Sequence, residues 1–257
     1  MYATVKMIEE FLQAIAPFET AEAYDNVGAL VGRRDQEVTG ILVALDATLE
    51  VVREAEEKNA DLIVTHHPLM FHSRKTMLEE EPEAAVLCEL IRNRISLISA
   101  HTNLDQTFYS GSACCGKLLS LLNLRQESPY LFLGELKTPV TAAEMEHIVE
   151  DTLRFPVRRY GDENRILHTL AIAGGAADGE WTNARNLGAD ALLTGEVHHH
   201  HALAASMSQF VLFDGGHYGT EAPLVSPLAE YLQKQLDDVK CNVRVFPSCV
   251  APFGDMI

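Results

Sequence analysis

Six short apolar runs constrain this chain more than any other feature of it. "GILVALD" (residues 40–46), "ADLIVT" (60–65) and "ISLISA" (95–100) lie in the first half; "TLAIAGG" (169–175), "ADALLT" (189–194) and "FVLFDGG" (210–216) lie in the second. Each is too short for a helix and shows no polar alternation, so each reads as a strand buried on both faces. Between them "ATLEVVREAEEKN", "PEAAVLCELIRNR", "DGEWTNARNLG" and "ALAASMS" read as helices, with Pro82 suited to a first turn. Strands alternating with helices in this way predict parallel βαβ units and an α/β fold.

The halves also match in position. Ala44, Ala60, Asp61 and Thr65 recur at one constant offset as Ala173, Ala189, Asp190 and Thr194, the mark of an internal duplication. The expected architecture is two similar α/β lobes related by a pseudo-two-fold, with a metal site in the cleft between them. The first lobe spans residues 1–125 and the second 166–257. Residues 126–165 ("YLFLGEL", "AAEMEHIVEDTL", "VRRYG") form a connector. At the start, "TVKMIEEFLQAIAP" carries a helical stripe of Val5, Ile8, Leu12 and Ile15, stopped by Pro17.

The chemistry collects after the strands. His66 and His67 follow "ADLIVT", His101 and Asp105 follow "ISLISA", and His217 and Glu221 follow "FVLFDGG". Ligand-binding groups in parallel α/β sheets gather at such carboxyl ends. Imidazoles and carboxylates without sulfur suit two divalent ions of Zn, Fe, Mn, Co or Ni better than Mg or Ca. Neighbouring side chains of an extended chain point apart, and Pro68 keeps His67 extended. The two rings are therefore expected to serve different ions. The expected pairing is His67 with Asp105 on one, His66 with His217 on the other, and Glu221 as the bridge. His101, beside this set, is the expected catalytic residue, carrying a proton or orienting Asp105. Glu196 is the counterpart of His67 at the repeat offset and is expected as a supporting or acid–base group. The run His198–His201 opens a helix, so its rings fan out and cannot all meet one ion. It is expected to cap or cover a site. Arg74 and Lys75 read as solvated charges within reach of a substrate phosphate, and His72, His147 and His168 as ordinary hydrogen-bonded residues.

Composition narrows the partners. A net charge of −17 over 257 residues repels phosphate backbones, which argues against nucleic acid and for a small-molecule substrate. No apolar run approaches the roughly 20 residues of a bilayer span, so no membrane partner is expected. The start of the chain lacks a basic leader, and a cytoplasmic protein is expected. Five cysteines without a CxxC spacing read as reduced, mostly buried thiols.

"YDNVGALVG", "ILVALDAT", "ADLIVTHHPLMF", "SAHTNLD", "AIAGGA", "GADALLTGE" and "GHYGTE", in this order, resemble the Ngg-one-interacting-factor-like family. Its members are also called type 2 homologues of GTP cyclohydrolase I and dinuclear metal centre hexameric proteins. The length is similar to that of short bacterial YbgI-like members. The resemblance implies a two-lobed α/β fold, a two-metal site, a homohexamer, and metal ligands at His66, His67, Asp105, His217 and Glu221. His101 would then lie near the ions without necessarily binding them. The reaction implied is hydrolytic opening of a purine ring of GTP with release of formate. Tyr24 stands where the family has Trp, "SGSACCGKLL" replaces a common turn, and Pro227 is expected to kink the helix after the glutamate. A metal-handling protein that stores, delivers or senses ions fits the same ligands. So does a hydrolase of an unrelated amide or phosphoester. Without a phosphate-binding glycine loop, a nucleotide has to be held by metals and side chains.

Overall fold

The structure, a computed structural model, describes residues 2–251. It divides into two compact units, residues 2–107 with 225–251, and Phe108–Leu224.

The first unit is built on β1 (Ala3–Thr4), β2 (Gly28–Val31), β3 (Glu37–Val38), β4 (Gly40–Ala44), β5 (Leu62–Thr65), β6 (Ser96–Ser99) and a late strand, β13 (Arg244–Pro247). Five of these form one sheet in the order β13-β4-β5-β6-β2, while β1 pairs with β3. The pairs β13–β4, β4–β5 and β5–β6 are parallel, and β2 closes the edge antiparallel to β6. The helices are α1 (Val5–Ile15), α2 (Leu49–Glu57), α3 (Pro82–Arg92), α4 (Thr102–Asp105) and α10 (Val225–Asp238). Thr4 caps α1 by accepting the Met7 N–H, and Val5, Ile8 and Leu12 are its buried stripe. Leu42, Val51, Val52, Ile63, Leu90 and Leu97 form the core, removing strand and helix faces from water together.

The second unit holds β7 (Leu122–Gln126), β8 (Phe132–Thr141), β9 (Arg158–Tyr160), β10 (Ile166–Ala173), β11 (Ala191–Thr194) and β12 (Val211–Asp214), in the order β7-β8-β10-β11-β12-β9. Its helices are α5 (Gly111–Leu118), α6 (Ala142–Leu153), α7 (Trp181–Asn186), α8 (His199–Met207) and α9 (His217–Glu221). Strand alternation sorts β10 between two cores. Leu170 and Ile172 pack with Met145 and Val149 of α6, whereas Ala171 and Ala173 lie in the cluster of Trp181, Ala184 and Ala205.

The repeat survives in register. Ile41 faces Leu62 and Ala44 faces Thr65; Leu170 faces Ala191 and Ala173 faces Thr194. Asp61 accepts the Thr39 N–H at 3.0 Å, and Asp190 accepts the His168 N–H at 2.8 Å. In each unit the aspartate at the start of one strand ties down the start of its neighbour.

The boundaries run differently from those expected. Residues 126–165 are not a connector: β8 pairs antiparallel with β10, and β9 with β12. Backbone groups on both sides of the parallel triplet need partners, and these strands provide them. Residues 108–125, assigned in sequence to the first lobe, supply α5 and β7 to the second unit. The chain from Val225 belongs with the first unit, where β13 covers the open edge of β4. Pro227 kinks nothing, because α10 starts afresh at Val225 and places the proline in its first turn, where no intrahelical acceptor is needed. The stretch "DGEWTNARNLG" is a 3-10 turn, Asp178–Glu180, followed by the short α7. Cys114, Cys115 and Cys241 are buried and Cys249 is exposed, all of them free. Among the described residues no helix is long and apolar enough to cross a membrane.

Candidate metal centre

In the first unit three adjacent parallel strands deliver donors at their carboxyl ends. Asp46 follows β4, His66 and His67 follow β5, and His101 and Asp105 follow β6 through α4. The chain leaves strand geometry at Thr65, whose hydroxyl donates to the His67 carbonyl at 2.9 Å. The two histidines are consequently not on opposite faces; their rings stand 4.9 Å apart, tilted by 45°. They differ instead in what their Nδ1 atoms meet. His66 Nδ1 lies 3.0 Å from the Ala100 carbonyl and His67 Nδ1 lies 2.7 Å from Asp46 Oδ1. His101 Nδ1 lies 2.9 Å from Asp25 Oδ1.

Carbonyls and carboxylates accept hydrogen bonds, so each Nδ1 is the protonated nitrogen and each Nε2 carries the lone pair. His66, His67 and His101 offer ligand atoms within 4.8 Å of one another. His66 Nε2 lies 3.5 Å from Asp105 Oδ1. The turn at Thr65 brings the buried His66 ring toward α4. His101 does not orient Asp105; its ring is held by Asp25.

Asp25 itself is fully enclosed. Burial alone would raise its carboxyl, but hydrogen bonds from His101 and from the Thr102 hydroxyl and N–H outweigh this and hold it well below the usual carboxylate range. Arg74 is committed to Glu81 and Glu83 and is no free phosphate ligand.

In the second unit β11 is followed by Gly195 and Glu196, and β12 leads through Gly215 and Gly216 into α9. One turn of α9 places Glu221 four residues after His217, on the same face. His217 Nδ1 lies 2.7 Å from Glu196 Oε1, and its Nε2 lies 3.1 Å from Glu221 Oε2. Gly175, after β10, has a φ of +64°, and a Cβ there would stand 2.3 Å from Glu221 Oε1. A Cβ at Gly195 would stand 2.8 Å from the His217 α-carbon. The glycines of "AIAGGA" and "LLTGE" are thus needed for close approach of backbone to the buried glutamate and its histidine.

These donors fit a divalent transition metal. Two ligand atoms on one such ion are about 2.8–3.6 Å apart, given bonds of about 2.0–2.2 Å. The pairs His66–Asp105 and His217–Glu221 fall in that range. In each pair a nitrogen lone pair faces a carboxylate oxygen, an arrangement that needs a cation or a second proton between them. The supporting acceptors Asp25 and Asp46 were missed in sequence. Their signal was an acidic residue in "YDN" and another closing "GILVALD", each one strand away from the histidines.

The family model described as Duf34/NIF3 (NGG1p interacting factor 3) matches residues 3–252. A Clostridium perfringens protein named GTP cyclohydrolase 1 type 2 homolog is 33% identical, over 90% of this chain and 91% of its own. One of the same name from Streptomyces coelicolor is 34% identical, over 92% and 88%. The crystal structure of a Staphylococcus aureus hypothetical protein, 30% identical, covers 97% of each chain with a TM-score of 0.92. A Bacillus cereus protein related to NIF3 shares the fold at 19% identity, 98% coverage of each chain and a TM-score of 0.92. The match of the family model over residues 3–252, with relatives more than 30% identical over nine-tenths of the chain, makes the chain a member of the Duf34/NIF3 family.

Proposed function

We propose that the protein is a hydrolase dependent on two divalent transition-metal ions, with His66, His67, Asp105, His217 and Glu221 as their ligands. The leading reaction is hydrolytic opening of a purine nucleotide with release of formate, in keeping with relatives named GTP cyclohydrolase 1 type 2 homolog. The observation that carries the reading is the fixed orientation of four imidazoles. Each of His66, His67, His101 and His217 has its Nδ1 against an acceptor of its own, so that Nε2 is the ligand atom of His66, His67 and His217 and the free base of His101. The ions, when bound, supply Lewis acidity toward water and electrophile.

In this reading His66 shares an ion with Asp105, and His217 shares one with Glu221. His101 is the proton carrier. Its Nδ1–H is held by Asp25, leaving Nε2 to accept a proton, and the enclosed carboxylate stabilises the imidazolium that results. A homohexamer belongs to the same reading and is tested by light scattering of the purified protein.

The experiment is metal analysis of the purified protein followed by a formate-release assay on GTP, with wild type, Asp105→Asn and His101→Gln. The expected result is two ions per chain in wild type and loss of turnover in both variants, with His101→Gln keeping its ions. Stoichiometric but rapidly exchanging ions with no turnover on any nucleotide would instead assign the protein to metal handling.

A further inference from the structure

The run His198–His201 has so far no role. In the structure His198 is the N-cap of α8 and His201 is three residues on, so the two side chains share one face of the first turn. The His200 ring lies alongside the pair, its centroid 4.1 Å from that of His201 and 5.7 Å from that of His198. Facing His198 and His201 is Asp178, buried at 4% exposure, delivered by the 3-10 turn that follows β10. Its Oδ2 accepts the His198 backbone N–H at 2.7 Å, which positions the carboxylate independently of either ring. The same oxygen lies 3.1 Å from His198 Nδ1 and 2.8 Å from His201 Nδ1.

Hydrogen bonding alone does not account for this cluster. A carboxylate oxygen has two lone pairs, yet three nitrogens crowd Oδ2, the His198 amide and the Nδ1 atoms of His198 and His201. His201 Nδ1, buried, makes no hydrogen bond despite its 2.8 Å approach, because its N–H direction does not run toward the oxygen. A nitrogen and an oxygen close together, with the nitrogen directed past the oxygen, is the relation of neighbouring ligands on one ion. Both distances lie within the about 2.8–3.6 Å expected of such neighbours.

We infer that Asp178, His198 and His201 form a further divalent transition-metal site, separate from the ligand set of the proposed hydrolase. Two imidazole nitrogens and one carboxylate select Zn, Co, Ni or Fe over Mg or Ca. Coordination through Nδ1 leaves each ring's proton on Nε2. Three protein ligands leave open positions, and His198 is exposed, so the ion exchanges readily. The start of α8 opposes a cation, and the buried carboxylate offsets that field. The site is accordingly weaker than a closed structural one.

The test uses the full chain, stripped with chelator and equilibrated against free Co²⁺. Bound metal is counted by mass spectrometry, and the cobalt d–d absorption is recorded. Wild type is expected to hold one equivalent per chain more than His198→Gln/His201→Gln, a change that keeps an N–H donor for Asp178 but removes the nitrogen ligands. Asp105→Asn, which affects the other centre, is expected to keep that equivalent and its absorption band. Equal stoichiometry and equal spectra in wild type and the double variant overturn the inference. Should the double variant fail to fold, His201→Gln alone decides the matter by the same two readouts.

Discussion

Glu196 Oε1 accepts the Nδ1–H of His217 across 2.7 Å, from the end of one parallel strand to the end of the next. The first unit contains the same relation one strand earlier in the repeat: Asp46, after β4, holds His67, after β5, so the strand end that carries His67 in one unit carries Glu196 in the other. The duplicated scaffold offers equivalent strand ends, and imidazole and carboxylate have been distributed over them differently.

An acceptor on the far nitrogen of a metal-ligating imidazole orients the ring and raises its basicity, and removing it typically costs about 10–100-fold in metal affinity. Glu196→Ala and Asp46→Ala are each expected to weaken metal binding by that order, read by competition with a chromophoric chelator. Wild-type affinity in both variants would count against the metal assignment of His217 and His67.

Gly175 has a left-handed backbone and no room for a side chain beside Glu221. Gly175→Ala is expected to cost about 1–2 kcal/mol from the conformation alone. It is also expected to displace the Glu221 carboxylate. Thermal unfolding of the metal-free protein measures the first effect and bound metal per chain the second. Full metal content in the variant would show that Glu221 is not held by this cradle.

Asp61 and Asp190 tie down neighbouring strands at equivalent places in the two units, Asp61 accepting the Thr39 N–H and hydroxyl, and Asp190 the His168 and Thr169 N–H groups and the Thr169 hydroxyl. Substituting either by Ala leaves those groups without their charged acceptor, at about 1–3 kcal/mol. Denaturant unfolding of Asp61→Ala and Asp190→Ala is expected to show losses of similar size. A loss confined to one of them would mean that the two copies no longer share this interaction.

Glu9 provides a pH signature remote from the donors. The Arg34 hydrogen bond lowers its carboxyl below the ordinary 4.5, against the opposing effect of burial and with help from the Ala29 N–H. A carboxyl depressed on folding contributes stability above its unfolded value and loses it as pH falls through the folded one. The difference in melting temperature between wild type and Glu9→Gln is therefore expected to be constant above pH 4.5 and to shrink below it. A difference that grows on acidification reverses the sign and refutes the assignment.

Much of the architecture could be read directly from the chain. Continuous apolar runs such as "ADLIVT" and "ADALLT" exclude water on both faces and so specify central parallel strands. Their constant offset reappears as identical pairing register in the two sheets. That His66, His67, His101, His217 and Glu221 follow strand ends is a local property, legible from spacing. What covers the sheet edges was not, because β8, β9 and β13 find their partners through long-range pairing that their own composition does not announce.

Sequence alone therefore determined the strands, the α/β class, the duplication and which residue types stand at the strand ends, since each depends on neighbours within a few residues. Only the tertiary structure decided that His66 comes within 3.5 Å of Asp105, that Asp25 and Asp46 hold the rings of His101 and His67, that Arg74 is taken by Glu81 and Glu83, and that two of four consecutive histidines converge on Asp178. Hydrogen bonds and coordination act over about 3 Å. At that scale the outcome is set by a turn at Thr65 or a glycine at 175, and by segments far apart in the chain that only the fold brings together.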